Sequence, residues 1–140
     1  DYAHTPEALK HALKEIREFY EGEIWCVFGC GGDRDKGKRS VMGKVAEDYS
    51  DHVIITDDNP RNEASQNIMD DILKGTTKPE NIKTISDRRE AIQFTLEEMA
   101  KRKGMNIMLL AGKGHEEYQI VGSERKKFDD RETLLSLTGS

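Results

Sequence analysis

The residues best suited to chemistry in this chain lie in three short polar clusters, each of which follows an apolar run. The clusters occupy residues 29–39, 57–61 and 112–116. Each combines charged side chains with glycine or proline, a composition found both in turns that bind small charged ligands and in ordinary surface turns. What they can bind depends on their charges and on whether the fold brings them together.

The first cluster, residues 29–39, has the sequence Gly-Cys-Gly-Gly-Asp-Arg-Asp-Lys-Gly-Lys-Arg. Its glycines allow a ligand to approach the backbone closely, and the helix predicted to follow favours an anion at its amino end. It lacks the third glycine of the dinucleotide fingerprint and the Gly-Lys-Ser/Thr of a P-loop. Because alternating acidic and basic residues are also common in solvated loops, this cluster alone favours neither an anion site nor a plain surface loop.

The second cluster, residues 57–61, places two carboxylates, an amide and a guanidinium within the sequence Asp-Asp-Asn-Pro-Arg. An arginine binds a carboxylate through two parallel hydrogen bonds, and an acidic side chain receives an ammonium group. The pattern therefore favours a clamp for a zwitterion over the alternative, a proline-containing turn that leads into a helix.

The third cluster, residues 112–116, has the sequence Gly-Lys-Gly-His-Glu. No serine or cysteine accompanies His115 as in a nucleophilic triad, and no second histidine is placed to share a metal ion with it. The pattern predicts neither hydrolysis nor metal binding. By itself it indicates a tight turn whose His115 and Glu116 point to water.

The residues between the clusters predict strands that alternate with amphipathic helices. Buried strands are predicted by short apolar runs at residues 24–28, 53–56 and 107–111, and a further short strand is predicted at residues 82–85. Apolar residues at helical spacing predict helices at residues 5–22, 41–49, 64–75 and 86–104. Thr5 and Ser86 are the predicted caps of the first and the fourth of these helices.

The carboxyl-terminal residues predict smaller elements. Residues 118–121 and 125–128, separated by Gly122-Ser123, predict a small hairpin or edge strands. Asp129, with Glu132 three residues later, predicts the cap of a last helix that extends through Leu137.

This order of elements predicts an α/β fold. We expect a Rossmann-like, three-layer domain with a mostly parallel sheet of about six strands, helices on both faces and a carboxyl-terminal edge hairpin. In such sheets, ligands bind at the carboxyl ends of the strands, near a topological switch point. The three polar clusters follow different strands but belong to the same edge of the sheet, and this convergence is the main functional signal in the sequence.

Composition limits the classes of function. The chain has 140 residues, enough for one domain, and its net charge of −5 argues against binding to nucleic acid or to an anionic membrane surface. Its longest apolar run, Ile107 to Ala111, is far shorter than the ~20 residues of a membrane span. Cys26 and Cys30 lie close together in sequence and are predicted to be reduced thiols of a cytoplasmic protein. Since the sequence opens at Asp1 without Met or a leader, we expect a longer parent protein.

Four segments, in this order and spacing, resemble the carboxyl-terminal domain of the Mur ligase family. They are the opening Asp-Tyr-Ala-His-Thr-Pro, the first two clusters, and the third cluster with the alanine before it. The resemblance covers essentially residues 1–140 and implies an amino-acid-binding domain whose amino-terminal and central ATPase domains are absent from the chain. It implies the branch of the family that adds meso-2,6-diaminopimelate to UDP-N-acetylmuramoyl-L-alanyl-D-glutamate through an acyl phosphate, in cytoplasmic peptidoglycan synthesis.

The resemblance also assigns roles to residues. The residues that match those binding meso-diaminopimelate are Arg34, Asp58, Asn59, Pro60, Arg61, Gly112 and Glu116. Asp1, Tyr2 and His4 match the nucleotide side, where Asp1 reaches the ribose. The implied partners are meso-diaminopimelate, ATP and, through the other domains, the UDP-muramoyl dipeptide. The resemblance implies that ATP and Mg²⁺ are held mainly by the central domain and that residues 1–140 contain no catalytic or metal-binding residue. We therefore expect the isolated domain to be inactive. We also expect a monomer.

Three alternatives remain open at this point. A sister ligase of the same family would add lysine, alanyl-alanine or glutamate, although the clamp at residues 57–61 argues against it. A phospho-acceptor receiver module would use Asp57, Asp58 and Lys113, but the strand predicted at residues 82–85 does not end in the expected acceptor. An interaction domain without any catalytic partner would carry the same fold and no enzymatic role.

Overall fold

Strands and helices alternate from residue 6 to residue 110, as the apolar spacing predicts. The computed structural model describes residues 5–30, 37–57, 64–111, 119–126 and 129–138. The helices are α1 (Pro6–Phe19), α2 (Gly37–Tyr49), α3 (Ser65–Leu73) and α4 (Arg88–Ala100), with a short 3-10 turn at Pro79–Asn81. The strands are β1 (Glu23–Phe28), β2 (His52–Ile55), β3 (Lys83–Thr84), β4 (Gly104–Leu110), β5 (Gln119–Lys126) and β6 (Asp129–Thr138).

The strands form one six-stranded sheet in the order β3-β2-β1-β4-β5-β6. The pairs β2–β3, β1–β2 and β1–β4 are parallel, and the pairs β4–β5 and β5–β6 are antiparallel. The predicted α/β architecture, with a mostly parallel sheet and a carboxyl-terminal edge hairpin, is therefore confirmed. The hairpin consists of β5 and β6.

Helices cover both faces of the sheet, so the domain has three layers as predicted. Alternate residues of β1 separate the two faces: Ile24, Cys26 and Phe28 pack with α1, α2 and α3, while Trp25 and Val27 pack with α4. All five side chains are buried, which explains why β1 is a continuous apolar run. The packing of both faces holds the carboxyl ends of the parallel strands in place.

Side-chain caps set the beginnings of two helices. The hydroxyl oxygen of Thr5 accepts a hydrogen bond from the amide of Ala8 at 3.1 Å, which confirms Thr5 as the cap of α1. The predicted cap of α4, Ser86, is wrong by one residue. The carboxylate of Asp87 accepts hydrogen bonds from the amides of Arg89 and Glu90 at 2.9 and 3.2 Å. A carboxylate also suits the positive end of a helix better than a hydroxyl does.

The prediction of a last helix from Asp129 to Leu137 is wrong, because these residues belong to β6. The predicted split at Gly122-Ser123 is wrong as well, because β5 runs through both residues. β6 pairs with β5 from Gln119↔Thr138 to Lys126↔Asp129 and supplies partners for the backbone groups along that edge. A helix cap contributes only about 1 kcal/mol, so the long strand pairing decides the structure of this segment.

Candidate functional site

The carboxyl ends of three parallel strands lie side by side. Phe28, the last residue of β1, pairs with Ile55, the last residue of β2. Val27, one residue earlier in β1, pairs with Leu110, the last residue of β4. Since the three polar clusters follow these strands directly, the prediction that they begin at one edge of one sheet is confirmed.

The edge contains a topological switch point between β1 and β4. From β1 the chain continues through α2 to β2 on one side, whereas β4 is followed by β5 on the other side. Open α/β sheets bind their ligands outside the strand ends at such a point, so this edge is the expected position of a ligand. The first and third clusters follow the two strands on either side of this switch point.

The beginnings of the first and second clusters are in direct contact. The amide of Thr56 donates to the carbonyl oxygen of Phe28 at 2.9 Å. A Cβ atom on Gly29 would lie 2.1 Å from the carbonyl oxygen of Thr56. Only glycine fits at this position, because the backbone after β2 occupies the space that a side chain would need. This close approach sets where Asp57 leaves the sheet relative to the first cluster.

The junction between β3 and α4, residues 86–88, holds the beginnings of the second and third clusters. The carbonyl oxygen of Ser86 accepts from the hydroxyl of Thr56 and from the amide of Asp57, both at 3.2 Å. Nη2 of Arg88 donates to the carbonyl oxygen of Ala111. The sequence predicted only a helix cap at this junction, not its contacts with the strand ends. The signal that could have indicated those contacts is the sequence Ser-Asp-Arg directly after a short strand.

Arg39, at the end of the first cluster, has a structural role that the sequence analysis missed. It is 1% exposed, and its Nη1 lies 2.9 Å from Oδ2 of Asp71 in α3. The hydrogen bond from Arg39 lowers the pKa of Asp71 below its usual value, and Lys74 adds to this effect. The ion pair joins α2 to α3, so Arg39 contributes to the contact between these two helices.

The residues to which the sequence analysis assigned binding roles lie outside the described part of the chain. For these residues the roles remain predictions: Asp1, Tyr2, His4, Arg34, Asp58, Asn59, Pro60, Arg61, Gly112 and Glu116. Lys113, considered for the receiver alternative, also lies outside it. The described residues at which the three clusters begin are Gly29 and Asp57, which open the first two, and Ala111, which directly precedes the third.

Other features of the described residues limit the chemistry available. Burial raises the pKa of the Cys26 thiol to about 12, so this side chain is not a nucleophile near neutral pH, and neither Cys26 nor Cys30 forms a disulfide. Within the described ranges, no group of three or more histidines, cysteines or carboxylates is arranged to hold a metal ion. No described helix is long and apolar enough to cross a membrane.

A surface depression of about 430 Å³ runs along α4. Its lining consists of Arg88, Arg89, Ile92, Gln93 and Leu96. Of these five residues, Arg88 also contacts the strand ends, through Ala111. The depression follows the helix rather than the strand ends, so the strand ends, where the polar clusters begin, remain the better candidate for a site that binds a charged ligand.

Comparison with known proteins gives a consistent family match. Residues 1–114 match the family described as "Mur ligase, glutamate ligase domain". Two proteins of Haemophilus influenzae, from strains Rd and PittEE, are each 50% identical to this chain over 135 residues, or 96% of it. Both are named UDP-N-acetylmuramoyl-L-alanyl-D-glutamate–2,6-diaminopimelate ligase.

A solved structure of a protein with the same ligase name matches the fold. It has a TM-score of 0.71 and 44% sequence identity to this chain, and the match covers 82% of this chain and 23% of the solved one. The chain also spans only 27% of the length of each of the two Haemophilus proteins. The similarity therefore concerns one domain of proteins about four times as long.

Proposed function

Because the chain belongs to the Mur ligase family as a glutamate ligase domain, we propose that it is the carboxyl-terminal domain of the ligase that adds meso-2,6-diaminopimelate to UDP-N-acetylmuramoyl-L-alanyl-D-glutamate. In this proposal residues 1–140 bind the incoming amino acid and complete the nucleotide pocket. The amino-terminal and central domains supply the rest of the enzyme. Since the reaction consumes ATP to make a peptidoglycan precursor, we propose that it takes place in the cytoplasm. We further propose that the enzyme is a monomer.

The observation that carries the proposal is the 50% identity to diaminopimelate ligases over 135 residues. That alignment leaves five of the 140 residues outside the aligned span. The described structure supports it, because the three clusters leave adjacent strand ends at a switch point. Family membership also argues against the receiver module.

The proposed reaction has two steps. A carboxylate oxygen of the muramoyl dipeptide attacks the γ-phosphorus of ATP, which gives an acyl phosphate and releases ADP. The amine of diaminopimelate then attacks the acyl carbon, loses a proton and expels phosphate, so that an amide bond forms. Holding the amine against the acyl carbon lowers the barrier by fixing the relative position of the reactants, and this is the contribution proposed for this domain.

The charges of diaminopimelate suit the proposed clamp. The molecule is lysine with a second carboxylate on its far carbon, so recognition of its distal end requires a cation for the carboxylate and an anion for the ammonium. Arg34 and Arg61 are suited to the carboxylate, and Glu116 is suited to the ammonium. Asp58, Asn59, Pro60 and Gly112 complete the proposed site. A site of this kind rejects lysine, because its arginines would be left without a partner.

The nucleotide side of the proposal involves the opening segment. Asp1 is proposed to bind the ribose hydroxyls, with Tyr2 and His4 near the nucleotide. Mg²⁺ bound with ATP would neutralise charge on the phosphates. As the family resemblance implies, we assign the metal ion and the phosphate-binding lysine to the central domain.

Amino-acid-dependent phosphate release by the full-length ligase tests this function. With ATP, Mg²⁺ and the UDP-muramoyl dipeptide present, we expect meso-diaminopimelate to support phosphate release and L-lysine to support at least roughly a hundredfold less at equal concentration. Residues 1–140 alone should release no phosphate under the same conditions. Equal activity with lysine would indicate a sister ligase, and ligation by the isolated chain would contradict the division of roles between domains.

A further inference from the structure

Arg88 is held so that its guanidinium reaches the end of a strand that is distant in the sequence. It is the first residue of α4, and the Asp87 cap fixes the backbone at this point through hydrogen bonds from the amides of Arg89 and Glu90. Its Nη2 donates to the carbonyl oxygen of Ala111, twenty-three residues further along the chain. The contact therefore links the start of α4 to the end of β4.

Ala111 is fixed on both sides of its peptide unit. Its amide donates to the carbonyl oxygen of Val27 at 3.0 Å, and its carbonyl oxygen accepts from Arg88. The residue is 3% exposed, so water does not compete freely for either group. Since Gly112 follows directly, these two hydrogen bonds set the position and direction from which the third cluster begins.

The second terminal nitrogen of Arg88 makes the contact unusual. Nη1 is buried and has no hydrogen-bond partner among the described residues. A buried donor without an acceptor lowers the stability of the fold. Since Asp87 already caps α4, stabilisation of the helix start does not explain why this guanidinium is buried. The arrangement is better explained if the guanidinium serves the strand end, and Nη1 remains available there for one more acceptor.

We propose that Arg88 is a positioning residue for the amino-acid site. Through Ala111 it holds the end of β4, from which the third cluster begins, beside Asp57, whose amide donates to the carbonyl oxygen of Ser86 in the same junction. Arg88 does not contact the reacting atoms in this proposal, which rests on the function proposed above. Loss of its guanidinium should release the Ala111 carbonyl at the end of β4 and weaken diaminopimelate binding, with little effect on ATP.

The test compares Arg88→Met, Arg88→Lys and the control Arg89→Met in the full-length ligase. Arg89 is the exposed neighbour of Arg88 on the same helix. Arg88→Met should raise the KM for diaminopimelate roughly tenfold and change the KM for ATP less than about twofold. Arg88→Lys should recover most of the loss, because an ammonium can still donate to the Ala111 carbonyl. Arg89→Met should behave as the wild type.

Two results would overturn the inference. One is an unchanged KM for diaminopimelate in Arg88→Met; the other is an equal rise in the KM for both substrates together with a lowered Tm, which indicates a purely structural role. If Arg88→Met does not fold, the Arg88→Lys variant provides the test. The inference requires that this variant keep its KM for diaminopimelate within about threefold of the wild-type value. A wild-type enzyme that does not use diaminopimelate contradicts the proposed function itself, which separates the two failures.

Discussion

Replacing Arg61 by alanine in the full-length ligase should raise the KM for meso-diaminopimelate roughly a hundredfold or more and leave the KM for ATP within about threefold. The proposed clamp pairs this guanidinium with the distal carboxylate of the substrate. Truncation of one partner of a buried, hydrogen-bonded charge pair costs about 2–5 kcal/mol, because the other charge is left without a partner. Steady-state kinetics with each substrate varied in turn measures both values.

The clamp also predicts a change in specificity. Arg61→Ala should narrow the preference for diaminopimelate over lysine, since lysine has no distal carboxylate and loses nothing when the guanidinium is removed. Arg89→Ala is the matched control, because Arg89 is an exposed arginine of the same domain and should leave both KM values unchanged. An equal loss for diaminopimelate and ATP would show that Arg61 supports the fold or domain closure rather than the clamp.

Gly29→Ala should destabilise the domain by about 3 kcal/mol. The new Cβ would lie 2.1 Å from the Thr56 carbonyl oxygen and 3.0 Å from the backbone of Asp57, so β1 and β2 would have to separate at their carboxyl ends. Backbone cannot move aside as a flexible side chain can. Urea denaturation followed by fluorescence gives the change directly, because Trp25 is the chain's single tryptophan and is 3% exposed in the folded state.

Gly104→Ala is the matched control for this clash. Gly104 has a φ of +84°, which strains any L-residue, but no atom lies within 4 Å of a Cβ placed there. We expect it to cost about 1 kcal/mol from backbone strain alone. If Gly29→Ala is no more destabilising than Gly104→Ala, the first two clusters are not held together by the close approach of Gly29 and Thr56.

The sequence predicted the strands best where both faces of the strand are buried. β1 and β4 are covered on both faces, so continuous apolar runs marked them, and their parallel pairing followed from the intervening helices. The alignment of Phe28, Ile55 and Leu110 at one edge follows from that topology. It required no knowledge of individual side-chain contacts, which is why the location of the candidate site could be predicted.

Contacts between residues distant in sequence could not be predicted in the same way. Arg39 looked like a surface or anion-binding residue, because nothing local indicates that it is buried and paired with the partly exposed Asp71. The interaction of Arg88 with Ala111 depends on how α4 crosses the sheet. β6 had a clear local signal for a helix start, and pairing with β5 outweighed that signal. In each case tertiary contact, rather than local preference, determined the outcome.

Titration of the 140-residue chain with meso-diaminopimelate, followed by the backbone amide signals of the strand ends, tests the central claim most directly. The account predicts saturable shifts that include Gly29, Asp57 and Ala111, with little change at Gly22 on the opposite edge, and much weaker effects from L-lysine at the same concentrations. Shifts of equal size with lysine, shifts centred away from the three strand ends, or none in a folded sample would contradict it.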